Sequence, residues 1–280
     1  LTPDRSAGVR SAPASRPRRL RAVARVPDAR LWPVLGGLSL LLGWLGLTWA
    51  LGADTFPGPG DTLAFLGREA QRGAIWGHVG ITLWRVLVAF ALALLLGAPL
   101  GWWLGHSPRL AAFAAPWLAV GLTLPRILIL LAAYLIVGLN EWAIILAITL
   151  ILLPTVAVQV REGVRGLNPR LYEMASAFRL SPAATLRSVT LPQLTPTLLG
   201  TARVTLSLAW KMVVFGEVFG RSSGVGYMIA FYFQQFEMRG ILAYGLVMTL
   251  VLSALDGVLA LLSARSVAWQ TPARPALETE

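Results

Sequence analysis

Six long apolar segments, an excess of basic residues on alternate connections, and a composition that is 56% hydrophobic and only 13% charged predict an all-α integral membrane protein with six transmembrane helices. A formal net charge of +11 does not point to nucleic acid, because eight arginines precede residue 31 and the other basic residues are scattered. Placed before the first apolar run, those eight fit a flank that stays with anionic lipid. The 280 residues include no cysteine, so no disulfide framework or thiolate chemistry is open to the chain, and its redox compartment is left undecided. His78 and His106 lie far apart without a nearby acidic pattern, which argues against a metal site.

The apolar segments run near 33–51, 80–105, 111–137, 142–160, 198–219 and 241–263. A bilayer span needs about 20 apolar residues, so each is long enough to cross as a helix. The first exceeds the 7 to 15 residues typical of a signal-peptide core and reads as a retained span; an Arg-rich transit peptide over 1–30 is the alternative. The third is interrupted by Pro116 and by Pro125-Arg126, which predicts an interfacial helix up to Thr123 followed by a short span over Ile127–Val137. Residues 224–237, GVGYMIAFYFQQFE, are too few to cross and predict a re-entrant or surface helix on the outer side. No inverted internal repeat is evident.

Lys and Arg total 16 on the segments 1–32, 106–110, 161–197 and 264–280, against 4 on 52–79, 138–141 and 220–240. By the positive-inside rule the first set is cytoplasmic. This gives an Arg-rich cytoplasmic tail over 1–32, a transmembrane domain over 33–265 with a cytoplasmic loop at about 161–197, and a cytoplasmic tail over 266–280. Trp32, Trp49, Trp102, Trp103, Trp142 and Trp269 fall near span ends, as an interfacial aromatic belt requires.

The 161–197 loop is unlike the spans. Asn168-Pro169 and Ser181-Pro182 each pair a capping side chain with proline at the first helical position, predicting helices over about 169–179 and 182–190. Leu171, Met174 and Phe178 share one face of the first, while Arg170, Glu173 and Ser176 lie away from it. Leu191-Pro192 is expected to end the second helix. Such a stripe calls for helix-in-groove docking on a partner, or else lies on lipid or on the chain's own spans.

Arg85, Arg126, Arg203, Lys211, Glu217 and Asp256 fall within or at the edges of apolar runs, where a charge must snorkel, pair or face water. Arg85 and Arg203, near span ends, are expected to snorkel. Arg203, Ser207 and Lys211 follow at four-residue steps and form a polar stripe, which with Glu217 is a candidate translocation path. A structural ion pair of Lys211 with Asp256 or Glu217 is the competing reading. Four basic groups against two acids favour an anionic solute. Gly97, Gly101 and Gly105 make a small-residue ladder, read as close packing in the core or across a dimer, or as ordinary membrane-helix glycine.

No GxxxxGK[ST] pattern is present, and the sole lysine lies in AWKMV, so the chain has no P-loop with which to cradle nucleotide phosphates. Three classes remain: a permease subunit powered in trans, a gradient-driven secondary transporter or channel, and a membrane scaffold. A secondary transporter needs in-span acids for a relay, and Glu217 and Asp256 alone offer them.

The run EMASAFRLSPAATLRSVTLPQL, residues 173–194, resembles the cytoplasmic EAA loop of permeases of binding-protein-dependent ATP-binding-cassette importers, whose pattern is Glu-Ala-Ala, three residues, Gly, then a spacer to Leu-Pro. Glu173, Met174, Ala175, Leu191 and Pro192 carry the match, with Met174 in place of the first Ala and Arg179 in place of the Gly. That Gly would serve a tight turn, where another residue in the left-handed region costs about 1 to 2 kcal/mol. FPGPGDTL, HVGITLWRVLVAF, LNPRLYEMA and GEVFGRSSGVGYMI extend the likeness to about residues 55–265 and resemble the sulfonate, taurine and nitrate branch. The resemblance implies a type I importer permease fold in a bacterial inner membrane and a non-enzymatic chain. It implies two permease copies lining a central path, two cassette ATPases that bind ATP and Mg, and a periplasmic or lipid-anchored solute-binding protein. It assigns ATPase coupling to Leu171, Glu173, Met174, Ala175, Phe178, Arg179, Ser181, Leu191 and Pro192, and places no cofactor and no nucleic acid on this chain.

Overall fold

A computed structural model describes residues 31–267, with side chains through 261; the tails over 1–30 and 268–280 lie outside the described residues. In chain order the elements are α1 (Leu31–Leu51), α2 (Pro59–Gln71), α3 (Ala74–His106), α4 (Pro108–Thr123), α5 (Arg126–Val137), α6 (Glu141–Arg165), α7 (Pro169–Ala177), α8 (Pro182–Thr185), a π turn (Leu186–Thr190), α9 (Leu191–Gly220), α10 (Val225–Gln234) and α11 (Met238–Val267). The chain divides into two compact units, Leu1–Trp44 and Leu45–Glu280. Of the first, the described part is the start of α1, which has no buried side chain.

Among the described residues five helical stretches are long and apolar enough to cross a membrane, or six when α4 and α5, bent by 92° at Leu124-Pro125, count as one broken span. The break falls where Pro125 denies its predecessor a helical conformation, as expected from the sequence. α10 is a ten-residue helix, about 15 Å long and too short to cross.

The core of the second unit is built by α3, α6 and α9. Val86, Ala89, Ile144, Ile148, Val156, Trp210 and Val213 have no exposed surface. Gly97, Gly101 and Gly105 of α3 pack on Val156, Val160 and Val164 of α6, and a Cβ at Gly101 would lie 2.5 Å from the Ala157 carbonyl oxygen. The ladder therefore serves close helix contact within one chain.

Three local features differ from expectation. α2 was hidden in a presumed loop, although Pro59 at its first position and Asp61 in its first turn are start signals. Leu191-Pro192 does not end a helix: α8, the π turn and α9 run on continuously to Gly220. The helix survives Pro192 because Leu191 N–H bonds to Leu186 O, five residues back. That widened turn takes up the proline ring, which in a regular α-turn would press on the carbonyl four residues before it. Third, of the two arginines expected to snorkel, Arg85 is fully buried and Arg203 is held by Asp256.

Candidate functional site: the α6–α9 loop, the polar face of α9 and a buried charge cluster

The loop between α6 and α9 is organised by the caps its sequence announces. Asn168 Oδ1 accepts from Arg170 N–H at 3.0 Å and Ser181 Oγ from Ala184 N–H at 3.2 Å, opening α7 and α8. α7 closes with Arg179 N–H bonded to Ser176 O at 2.9 Å and Leu180 N–H to Ala175 O at 3.0 Å. Arg179 itself has φ +52°, so the turn is a Schellman cap with arginine at the position that favours glycine. The left-handed geometry is thus kept without the glycine, at a cost of about 1 to 2 kcal/mol.

Ala175 is buried, and Tyr172 Oη shares a 2.8 Å hydrogen bond with Thr190 Oγ1, which fixes the inner side of α7. The other side is open: Met174 is 47% and Phe178 74% exposed, and Leu171 is half-buried. The apolar stripe is therefore covered only in part by this chain's described helices, least of all at Phe178. Glu173, Arg179 and Ser181 are exposed with it. Leu191 and Pro192 lie instead in the first turn of α9, behind the π turn.

On α9, Arg203 and Lys211 are exposed and Ser207 is half-buried, so three of the four path candidates share an open face. Lys211 forms no ion pair among the described residues, because the acids proposed for it are taken. Arg203 holds Asp256 of α11 through Nε to Oδ1 at 2.9 Å and Nη2 to Oδ2 at 2.7 Å. Glu217, the fourth candidate, is not brought to this face. It is fully buried and turned into the bundle.

What holds Glu217 is a charge cluster at the end of the bundle opposite the loop. Arg85 Nη1 donates to Glu217 Oε1 at 2.6 Å and to the Ser223 carbonyl at 2.7 Å, while its Nε and Nη2 donate to Glu141 at 2.7 and 2.8 Å. Arg221 bonds Glu141 as well and reaches the Leu139 carbonyl at 2.8 Å. Two arginines thus meet two glutamates, which satisfies the condition for burying charge. The start of α10 is held by the same group: Gly224, Val225 and Gly226 donate their N–H groups to His78 Nδ1, Thr82 Oγ1 and Glu217 Oε2 at 3.1, 2.8 and 2.9 Å. Glu217 is therefore an anionic cap on a helix N-terminus. Gly224 has φ +112° and a Cβ there would fall on the Glu217 carboxylate, so glycine is required twice over. Reading the sequence missed this cluster. The signals were Glu141 in the short turn between two apolar runs and the glycine-rich stretch 216–226.

The sequence profile described as "binding-protein-dependent transport system inner membrane component" matches residues 97–267. The putative aliphatic sulfonates transport permease protein SsuC of Bacillus subtilis (strain 168) is 28% identical over 240 residues, covering 86% of this chain and 83% of the relative. The taurine transport system permease protein TauC of Escherichia coli (strain K12) is 26% identical over 155 residues, 55% of this chain and 56% of the relative. A chain of the MetNI methionine ABC transporter, solved in inward-facing conformations, shares the fold at a TM-score of 0.61 and 18% identity, covering 71% of this chain and 98% of that one. A profile spanning more than half of the sequence, over the helical bundle and the capped loop described above, identifies this chain as a member of the inner-membrane permease family of binding-protein-dependent ATP-binding-cassette importers.

Proposed function

We propose that this permease conducts a small oxyanionic solute along the open face of α9 and receives its power from a separate cassette ATPase at α7. One observation carries the reading of the path. Lys211 stays exposed well inside an apolar helix and Arg203 two turns nearer its start, where lipid would make such charges costly, so that face needs water or protein against it. A second copy of the chain, related by a two-fold axis, would supply the opposite wall. The two relatives named for sulfonates and taurine handle solutes that carry an oxyanion, which suits a cationic face. The acids that a gradient-driven relay would use, Glu217 and Asp256, are instead each bound to an arginine.

Met174 and Phe178 form the proposed dock, and ATP and Mg belong to the ATPase that binds there. Its closure would draw the two α7 helices together and turn the bundles outward. The solute-binding protein would deliver from the opposite end. This assigns both termini and the loop to the cytoplasm, in line with the 16 to 4 distribution of Lys and Arg. In this Cys-free chain a single cysteine at Ser176 should resist an impermeant thiol reagent in intact cells while one at Asp61 reacts; external labelling at Ser176 reverses the orientation.

The path itself is tested at Lys211. In vesicles holding the full importer, Lys211→Met should leave the ATPase bound and raise the solute concentration for half-maximal uptake about tenfold, the ~1.4 kcal/mol value of one charge contact. Unchanged uptake would remove Lys211 from the path.

A further inference from the structure

We propose that Arg203 is an oxyanion-binding group held in reserve by Asp256, and that the sulfonate, carboxylate or nitrate edge of a solute takes the place of the Asp256 carboxylate. The inference rests on the path reading above and adds the binding chemistry. The pair is a two-bond fork, with Nε to Oδ1 at 2.9 Å and Nη2 to Oδ2 at 2.7 Å. Any ligand with two oxygens on one edge can reproduce that geometry. Arg203 stands twelve residues into α9 and Asp256 eighteen into α11, near the middle of both helices. Their side chains are nonetheless 43% and 47% exposed, unlike the Arg85–Glu217 pair, in which neither side chain has any exposed surface.

The exposed fork borders a cavity of about 290 Å³ lined by Arg203, Leu206, Ser207, Leu252, Ser253 and Asp256. That volume lies near the lower limit for a small-molecule site. Two leucines offer it an apolar wall; the Ser253 hydroxyl donates its proton to Thr249 O at 2.8 Å, which leaves Ser207 as the hydroxyl that can donate to an anion. With Asp256 in place the site is neutral, and an anion added beside the carboxylate would meet like-charge repulsion. Displacement relieves it. Asp256 is half-exposed, so once released it can be hydrated rather than stranded. A resident carboxylate also keeps the affinity modest, which conduction requires, since a bound solute must leave.

The test uses the full importer, purified in lipid nanodiscs, with ethanesulfonate and nitrate as probes and ethanol as the neutral control. Binding is read as the anion concentration that gives half of the maximal thermal shift. Asp256→Asn keeps the side-chain shape but withdraws the competitor, and should lower that concentration about tenfold. Arg203→Gln should raise it by tenfold or more. An unchanged or higher value for Asp256→Asn overturns the proposal, as does the absence of a specific anion effect in both the parent and Asp256→Asn. If Asp256→Asn does not assemble, a single cysteine at Ser253 in the otherwise unaltered chain gives the reading. Its modification by a methanethiosulfonate should be slowed by either anion and not by ethanol, and modification indifferent to anion overturns the proposal. Because these are binding measurements, they are read separately from uptake: failure of Lys211→Met to alter transport would remove Lys211 from the path without changing what Asp256→Asn and Arg203→Gln report of anion binding.

Discussion

Phe178→Asp is expected to abolish retention of the ATPase through detergent purification, and with it all uptake, while the permease reaches the membrane at its normal level. Phe178 is 74% exposed and follows directly on α7, so the replacement disturbs no contact in the core. Burying an aromatic or aliphatic side chain in a partner's groove is worth about 1.5 to 3 kcal/mol, and an unpaired carboxylate in the same groove adds a desolvation cost. A loss of about 3 kcal/mol is more than a hundredfold in affinity. Membrane insertion should be unaffected, since the apolar spans are untouched. Co-purification of a full complement of ATPase with Phe178→Asp would show that Met174 and Phe178 face lipid rather than a protein groove.

The other large effect is expected at Arg85. Arg85→Met leaves the Glu217 carboxylate without its cation in a fully buried position and removes the bridge to Glu141. Breaking one side of a buried pair costs about 3 to 5 kcal/mol, enough to deplete the folded protein. Thermal unfolding of the purified subunit, or its recovery as a monodisperse peak, measures the loss. Replacing Glu217 as well, in Arg85→Met with Glu217→Gln, removes the stranded charge and retains an acceptor for Gly226 N–H, so more than half of the loss should return. If the two replacements instead add, each residue acts through separate contacts and the cluster is not a coupled unit.

The long spans were legible because runs of apolar residues that long have few other uses, and the α4–α5 break because Pro125 acts locally. The caps at Asn168 and Ser181 were legible for the same reason: each is decided within a few residues. The left-handed turn at Arg179 was not, because the tight turn was implied only by the family's glycine and an arginine in its place carries no local sign of it. The partners of the charges were not. Arg85 and Glu217 are separated by 132 positions, and helical periodicity places Glu217 on a face without saying what lies opposite. Asp256 was a candidate partner for Lys211, yet it is Arg203, one element of the same polar stripe, that takes it. The continuation through Pro192 was hidden because a proline is read as a break unless the turn before it is known to widen. α2 was passed over because it is short and amphipathic among much stronger apolar signals.

The glycine contacts between α3 and α6 have a mechanical consequence. With Gly97, Gly101 and Gly105 seated against the branched side chains of α6, sliding one helix along the other would drive those side chains into backbone. At the far end the two are tied again by Arg85 and Glu141. A pair of rods pinned at four heights resists shear and is expected to tilt as one body. α3 is about 50 Å long, so a tilt of a few degrees begun beside the α6–α7 loop becomes several ångströms of travel at the α10 end, and the closer packing is what keeps that travel from being lost in between.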